Sequence, residues 1–126
     1  MNPDEVRDLL ERAWVRFDRE AERSKHSYLS VQRLEALYRD LSEEERTTAD
    51  DVLVEWALSD NGRRRYDGLA LIEDFSITSA LPALRTLADR FEHSDEVSAP
   101  YDWAKVNRII GRLVAGRSSE GGDKDR

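Results

Sequence analysis

The chain has 126 residues, 37% of them charged, no cysteine, and a net charge of −7. That length suits about one domain with its own core, the lack of cysteine excludes disulfides and thiolate metal sites, and no apolar run approaches the roughly 18 residues of a membrane helix. Duplex nucleic acid and anionic membrane would both repel such a chain at long range, and the acidic opening "MNPDEVRDLL" has no signal-peptide core, so a cytoplasmic protein is expected.

Six segments carry a helical period. In the first, Val6, Leu9, Leu10, Ala13, Trp14, Phe17 and Ala21 share a stripe. Asn2 suits its N-cap, Pro3 its first position, and Asp4 and Glu5 the positive end of its dipole. The polar stretch after residue 24 closes it. The second, about 30–41, aligns Val31, Leu34, Leu37, Tyr38 and Leu41. Ser42 and Glu45 then form a capping-box pattern ahead of a third helix, whose apolar face is Ala49, Val52, Leu53, Trp56 and Ala57. Asn61-Gly62 is expected to close it in the left-handed conformation of a helix C-terminus.

The fourth helix, about 64–75, carries Leu69, Leu71, Ile72 and Phe75. The fifth starts near Ser79, with Pro82 in the first turn, where a missing amide hydrogen costs no intrahelical bond. Leu81, Leu84, Leu87, Ala88 and Phe91 continue it. After the loop "HSDEVSAP", a sixth helix is expected from about Pro100, with Trp103, Val106, Ile110, Leu113 and Val114 inward. All three tryptophans fall on apolar stripes and are expected in the core. Residues 116–126 are too polar to offset their ordering entropy and are expected as a disordered tail behind a single domain at 1–115. No segment alternates with period two, so no strand is expected.

The stretch from "VLVEWALSD" through "RRRYDGLALI" to "ALPALRTLADRF" resembles the HEAT repeat. Asp60, Arg65, Gly68, Ile72 and Leu81-Pro82-Ala83-Leu84 occupy that family's places, with the Asp-to-Arg spacing one residue shorter than its pattern. The resemblance covers residues 49–92 well and 93–115 loosely. It implies an all-α fold: about six helices stacked as antiparallel hairpins in a short right-handed α-solenoid, each hairpin hiding its apolar face against the next. It also implies that Asp60 and Arg65 bind turn amides and carbonyls.

A catalytic constellation is not legible. His26 and His93 lack a metal-type His-x-x-x-His or Glu-x-x-His partner, and no Gly-x-Ser-x-Gly or phosphate loop occurs. Asp51 and Glu55 form an i, i+4 carboxylate pair beside Asp50, which on an acidic helix reads as a solvated face. No enzyme activity, cofactor or metal is expected. Arg63, Arg64 and Arg65 form the one basic run, which in a hairpin turn reads as one arginine held at a helix end and two in solvent.

By phase, the fourth helix turns out Tyr66, Asp67, Ala70, Glu73 and Asp74, and the sixth Tyr101, Lys105, Arg108 and Arg112. Tyrosine and arginine are favoured interface residues. The expected function is therefore a non-enzymatic protein-binding module using Tyr66, Asp67, Glu73, Asp74, Tyr101, Lys105, Arg108 and Arg112. A bacterial immunity protein neutralising a basic toxin is one concrete version, since acidity would steer such a partner. The alternative is a nucleic-acid binder using Arg63, Arg64, Arg65 and the sixth-helix arginines, against which the net charge weighs. Ala70, Ala104 and Gly111 would let helices approach in a weak homodimer, so either a monomer or such a dimer is expected.

Overall fold

The structure is a computed structural model that describes residues 1–26 and 28–123, with side chains as far as Gly116. Its elements are six α-helices and one short 3₁₀ turn, with no strand among the described residues. None of the helices is long and apolar enough to cross a membrane. By its contacts the chain falls into two compact units, Met1–Leu71 and Ile72–Arg126, where the sequence suggested one domain over 1–115.

The first unit opens with α1 (Pro3–Ser24), α2 (Leu29–Asp40) and α3 (Glu43–Ala57). Short polar side chains fix two of these starts. The Asn2 side chain accepts from the Glu5 amide at 2.8 Å, and the Glu5 carboxylate accepts from the Asn2 amide at 2.9 Å. Ser42 and Glu45 repeat this reciprocal box at the head of α3. Each box satisfies two of the amides that a helix start leaves without partners. At its other end, α1 stops on Lys25 in the left-handed region, φ 56°, with the His26 amide donating back to the Ala21 carbonyl.

The turn before α4 (Gly62–Asp74) corrects one expectation. Asn61-Gly62 does not end α3; that helix ends at Ala57 with Leu58 at φ −90°, and among the described residues no glycine has positive φ. Asn61 instead caps α4, its Oδ1 accepting from the Arg63 and Arg64 amides. An Asn side chain serves either helix end, and here the unpaired amides of α4 take it.

α1 packs against both α2 and α3. Val6, Leu10, Trp14 and Phe17 of α1, Val31 and Leu34 of α2, and Val52, Leu53 and Trp56 of α3 are buried in this core. α4 meets α3 at Gly68. A β-carbon there would lie 2.9 Å from the Ala57 nitrogen, the Leu53 oxygen and the Trp56 β-carbon, so the two backbones meet where no side chain intervenes.

The division between units falls near the end of α4. The second unit holds the last turn of that helix, the 3₁₀ turn Thr78–Ala80, α5 (Leu81–Glu92) and α6 (Ala99–Asp123). α4 ends on Ser76 in the left-handed region, φ 51°, with the Ile77 amide donating to the Ile72 carbonyl. This is the wrap that satisfies the last carbonyls of a helix. α5 and α6 pack on one another and on the 3₁₀ turn. Leu81, Leu84, Leu87, Val106, Ile109 and Leu113 are buried there.

α6 keeps Val106 and Leu113 inward as expected but departs from the expected phase at Trp103 and Val114. Its buried residues are Ala99, Val106, Ile109 and Leu113, while Trp103 is 41% exposed and Val114 40% exposed. Trp103 is therefore not core. Apolar residues wrap more than half of this helix, and the stripe that packs is rotated from the one carrying Trp103. The tail expected over 116–126 falls partly within α6, which continues to Asp123; Lys124, Asp125 and Arg126 lie outside the described residues.

Two glycine substitutions test these packing statements with opposite signs. Gly68→Ala forces a β-carbon against backbone and should destabilise by about 2–3 kcal/mol. Gly111→Ala places its β-carbon in open space within a helix and should stabilise by about 0.5–1 kcal/mol. Urea unfolding of both variants checks the pair; equal effects would contradict the close approach at Gly68.

Candidate functional site

The residues singled out by sequence fall into two groups, one in each unit. In the first unit, the arginine run is committed to its own surroundings. Arg63 reaches Asp18 at 3.1 Å and Glu22 at 3.4 Å. Arg64 reaches Glu11 at 2.8 Å, and its guanidinium lies 4.4 Å from the Trp14 ring centre and 5.6 Å from that of Trp56. Glu11 also accepts from the Trp56 indole at 3.0 Å. One carboxylate, one guanidinium and two indoles thus form a closed cluster, with the cation over two ring faces. Arg65 donates to the Ser59 carbonyl at 3.1 Å, while Asp60 is exposed. Each of the three arginines therefore has an intramolecular partner, which weighs against a phosphate-binding role for the run.

Asp67 corrects a second expectation. It does not face outward; it is 2% exposed. Its Oδ2 accepts from the Trp14 indole nitrogen at 2.8 Å and its Oδ1 from the Ser30 hydroxyl at 3.2 Å, tying α4 to α1 and α2. The position looks polar and outward by phase, but two donors from neighbouring helices make its burial tolerable. Asp67 forms part of the lining of a cleft of about 460 Å³, with Asp18, Glu22, Lys25, Arg63 and Tyr66 among its other walls. Burial pushes the Asp67 carboxyl up to about 6, against the opposing pull of the Trp14 and Ser30 donors.

In the second unit, Glu73 sits between two arginines of α6, Arg112 at 2.8 Å and Arg108 at 3.4 Å. The Glu73 side chain is 14% exposed. Tyr101 stands 73% exposed on α6, Lys105 is half-buried, and Asp74 is exposed. The structure thus brings Glu73, Arg108 and Arg112 together. Tyr101 and Lys105 share their side of α6, within about 60° by a 100° step. Tyr66 and Asp67 belong to the cleft of the first unit.

Other candidates resolve locally. Asp50 accepts from the Tyr38 hydroxyl at 2.7 Å, and Glu55 receives both guanidinium nitrogens of Arg7 at 2.7 Å, so these two carboxylates serve different partners. Burial raises the pKa of both Tyr38 and Asp50. Asp89, Glu92 and His93 form an exposed cluster at the end of α5, their donor atoms within 4.8 Å of one another. The Asp-x-x-x-His spacing that creates it is visible in the sequence. His93 Nδ1 lies 2.9 Å from the Asp89 carbonyl, which, with the Asp89 carboxylate, raises the imidazole pKa.

The raised Asp67 pKa has a definite consequence for stability. Between about pH 4 and pH 6 the folded chain keeps a proton that the unfolded chain has released. The associated stabilisation, about 2–3 kcal/mol, is complete below pH 4 and lost as pH rises through about 6. Asp67→Asn should remove this slope while retaining an acceptor and so gain stability relative to the parent as pH rises from 5 to 8. Asp67→Ala should lose about 1–3 kcal/mol at either pH by stranding the Trp14 and Ser30 donors. Urea unfolding at the two pH values distinguishes the cases; an unchanged slope in Asp67→Asn would contradict the assignment.

Comparison with protein-family models, with characterised proteins and with solved structures returned no match.

Proposed function

We propose that this chain is a small, non-enzymatic, cytoplasmic protein-binding module built from HEAT-like helical hairpins. The supporting observation is the outer side of α6. Tyr101 is 73% exposed there, on the same side as Arg108 and Arg112, whose guanidiniums Glu73 holds in place. An exposed tyrosine beside arginines whose geometry is already set is the composition of a binding hot spot. Ordering the arginines beforehand lowers the entropy lost on docking. Gly68 supports the hairpin part of the reading, because it occupies the small-residue place of the repeat and lies directly against the α3 backbone.

The net charge of −7 favours encounter with a basic protein, as an immunity-type inhibitor would require. In that form the overall field accelerates approach, while Tyr101 and the paired arginines set the docked pose. The nucleic-acid alternative lacks a comparable support, since Arg63, Arg64 and Arg65 each have a partner within the first unit.

The product of a neighbouring gene, mixed with this chain, should co-elute from a sizing column. Tyr101→Ala and Arg112→Ala should each weaken that complex about tenfold or more, with unchanged thermal unfolding. A complex indifferent to both substitutions would remove α6 from the reading, and failure to bind any neighbouring product would count against the function itself.

A further inference from the structure

The cleft of the first unit contains a charge that the fold does not pair. Asp67 is 2% exposed, and its two donors, the Trp14 indole and the Ser30 hydroxyl, are both neutral. A buried carboxylate ordinarily has a cation in contact. The α4 cation that shares the cleft wall, Arg63, is spent elsewhere: it reaches Asp18 at 3.1 Å and Glu22 at 3.4 Å. By exposure Asp67 lies deepest, the Asp18 side chain next at 21%, and the Glu22 side chain outermost at 65%. Three carboxylates thus mark out a path from solvent to the buried one.

We infer that this cleft binds a small organic cation, an alkyl guanidinium or alkyl ammonium, whose charged head pairs with Asp67 while Asp18 and Glu22 draw it in at the mouth. Three observations commit the cleft to that chemistry. Its volume, about 460 Å³, falls in the range of small-molecule sites and far exceeds what a lone ion needs. Its carboxylates do not converge as a metal ion requires. Among the described residues the donor group that does gather within 4.8 Å is Asp89, Glu92 and His93, on α5. Carboxylates spread along a cleft suit a charge carried on a chain. Finally, Ala21, Gly62 and Tyr66 supply uncharged wall for that chain, and the 40% exposed Tyr66 brings an aromatic ring to a site built for a cation. The Asp18 and Glu22 contacts of Arg63 show that the mouth already accepts a guanidinium.

Cation and proton compete for the same carboxylate. Burial, reinforced by the charge of Asp18, holds the Asp67 pKa near 6, so the group is mostly neutral at pH 5 and mostly charged at pH 7.5. The charged groups around it are Asp18, Glu22 and Lys25 at the end of α1 and Arg63 on α4, while α2 presents the Ser30 hydroxyl; His26 follows Lys25 and is not among the walls. Affinity for the cation should therefore fall about tenfold from pH 7.5 to pH 5.

The test is a titration of the intact, ¹⁵N-labelled chain followed by nuclear magnetic resonance. The Trp14 indole N–H donates to Asp67 and is the reporter; that of Trp103, in the second unit, is the internal control. Agmatine stands for a free amine, and arginine capped at both ends stands for the same guanidinium on a partner protein. At least one should shift the Trp14 signal saturably at pH 7.5, with a dissociation constant on the order of 0.1–1 mM. Tighter binding of agmatine would identify a free small molecule, and tighter binding of capped arginine a protein side chain. Butylurea, a neutral isostere of butylguanidinium, should leave the signal in place.

Asp67→Asn keeps an acceptor for both donors and should weaken binding at least tenfold, leaving no dependence on pH between 5 and 7.5. Glu22→Lys alters an exposed side chain, so the fold is safe, and should weaken binding severalfold. Arg63→Ala frees Asp18 and Glu22 and should tighten it. Absence of any Trp14 shift with either cation up to about 10 mM, an equal response to butylurea, or a pH dependence that survives in Asp67→Asn would each overturn the inference. The Tyr101 and Arg112 substitutions act in the second unit, so failure here and failure of the partner-binding reading give different results.

Discussion

The buried carboxylate of Asp67 is the constraint on which the first unit is arranged. A charged group loses several kcal/mol when removed from water unless donors replace the water it leaves. Here the Trp14 indole and the Ser30 hydroxyl do so, one from α1 and one from α2. Both donors must arrive together, so the helices that carry them are fixed relative to α4. Trp14 also lies under the Arg64 guanidinium, which is paired to Glu11, which in turn accepts from Trp56 of α3. A chain of polar contacts therefore runs through all four helices of this unit alongside the apolar core.

This arrangement changes how the high charge content is to be understood. Many of the charges serve neighbouring helices. Arg7 pairs with Glu55, Arg63 with Asp18 and Glu22, Arg33 with Glu20, and Glu73 with Arg108 and Arg112. Exposed pairs of this kind each contribute little to stability, but they orient long side chains that would otherwise sample many rotamers.

Much of the fold was legible in the sequence because its helix starts are marked by residues with a local mechanism. Asn2 with Pro3, Ser42 with Glu45, and Pro82 each act within one turn, and each lies at or within a turn of a helix start. What was not legible depended on neighbours distant in sequence. Asn61 can serve the helix before it or the one after, and only the positions of the α4 amides decide. Asp67 looks outward by phase, and its burial follows from donors 37 and 53 residues away. α6 has apolar residues around more than half its circumference, so periodicity does not choose which stripe packs. Of the expected site, the Glu73, Arg108 and Arg112 group is assembled, whereas Asp67 belongs to the interior.

The distribution of indoles has an experimental use. Trp14 and Trp56 are enclosed in the first unit with their ring centres 6.4 Å apart, while Trp103 belongs to the second and meets solvent. Fluorescence emission from this protein is consequently a sum of two environments, a shielded pair and a wet singlet. Replacing Trp103 by phenylalanine would leave a spectroscopic window on residues 1–71 alone, through which the melting of one half could be watched without interference from the other.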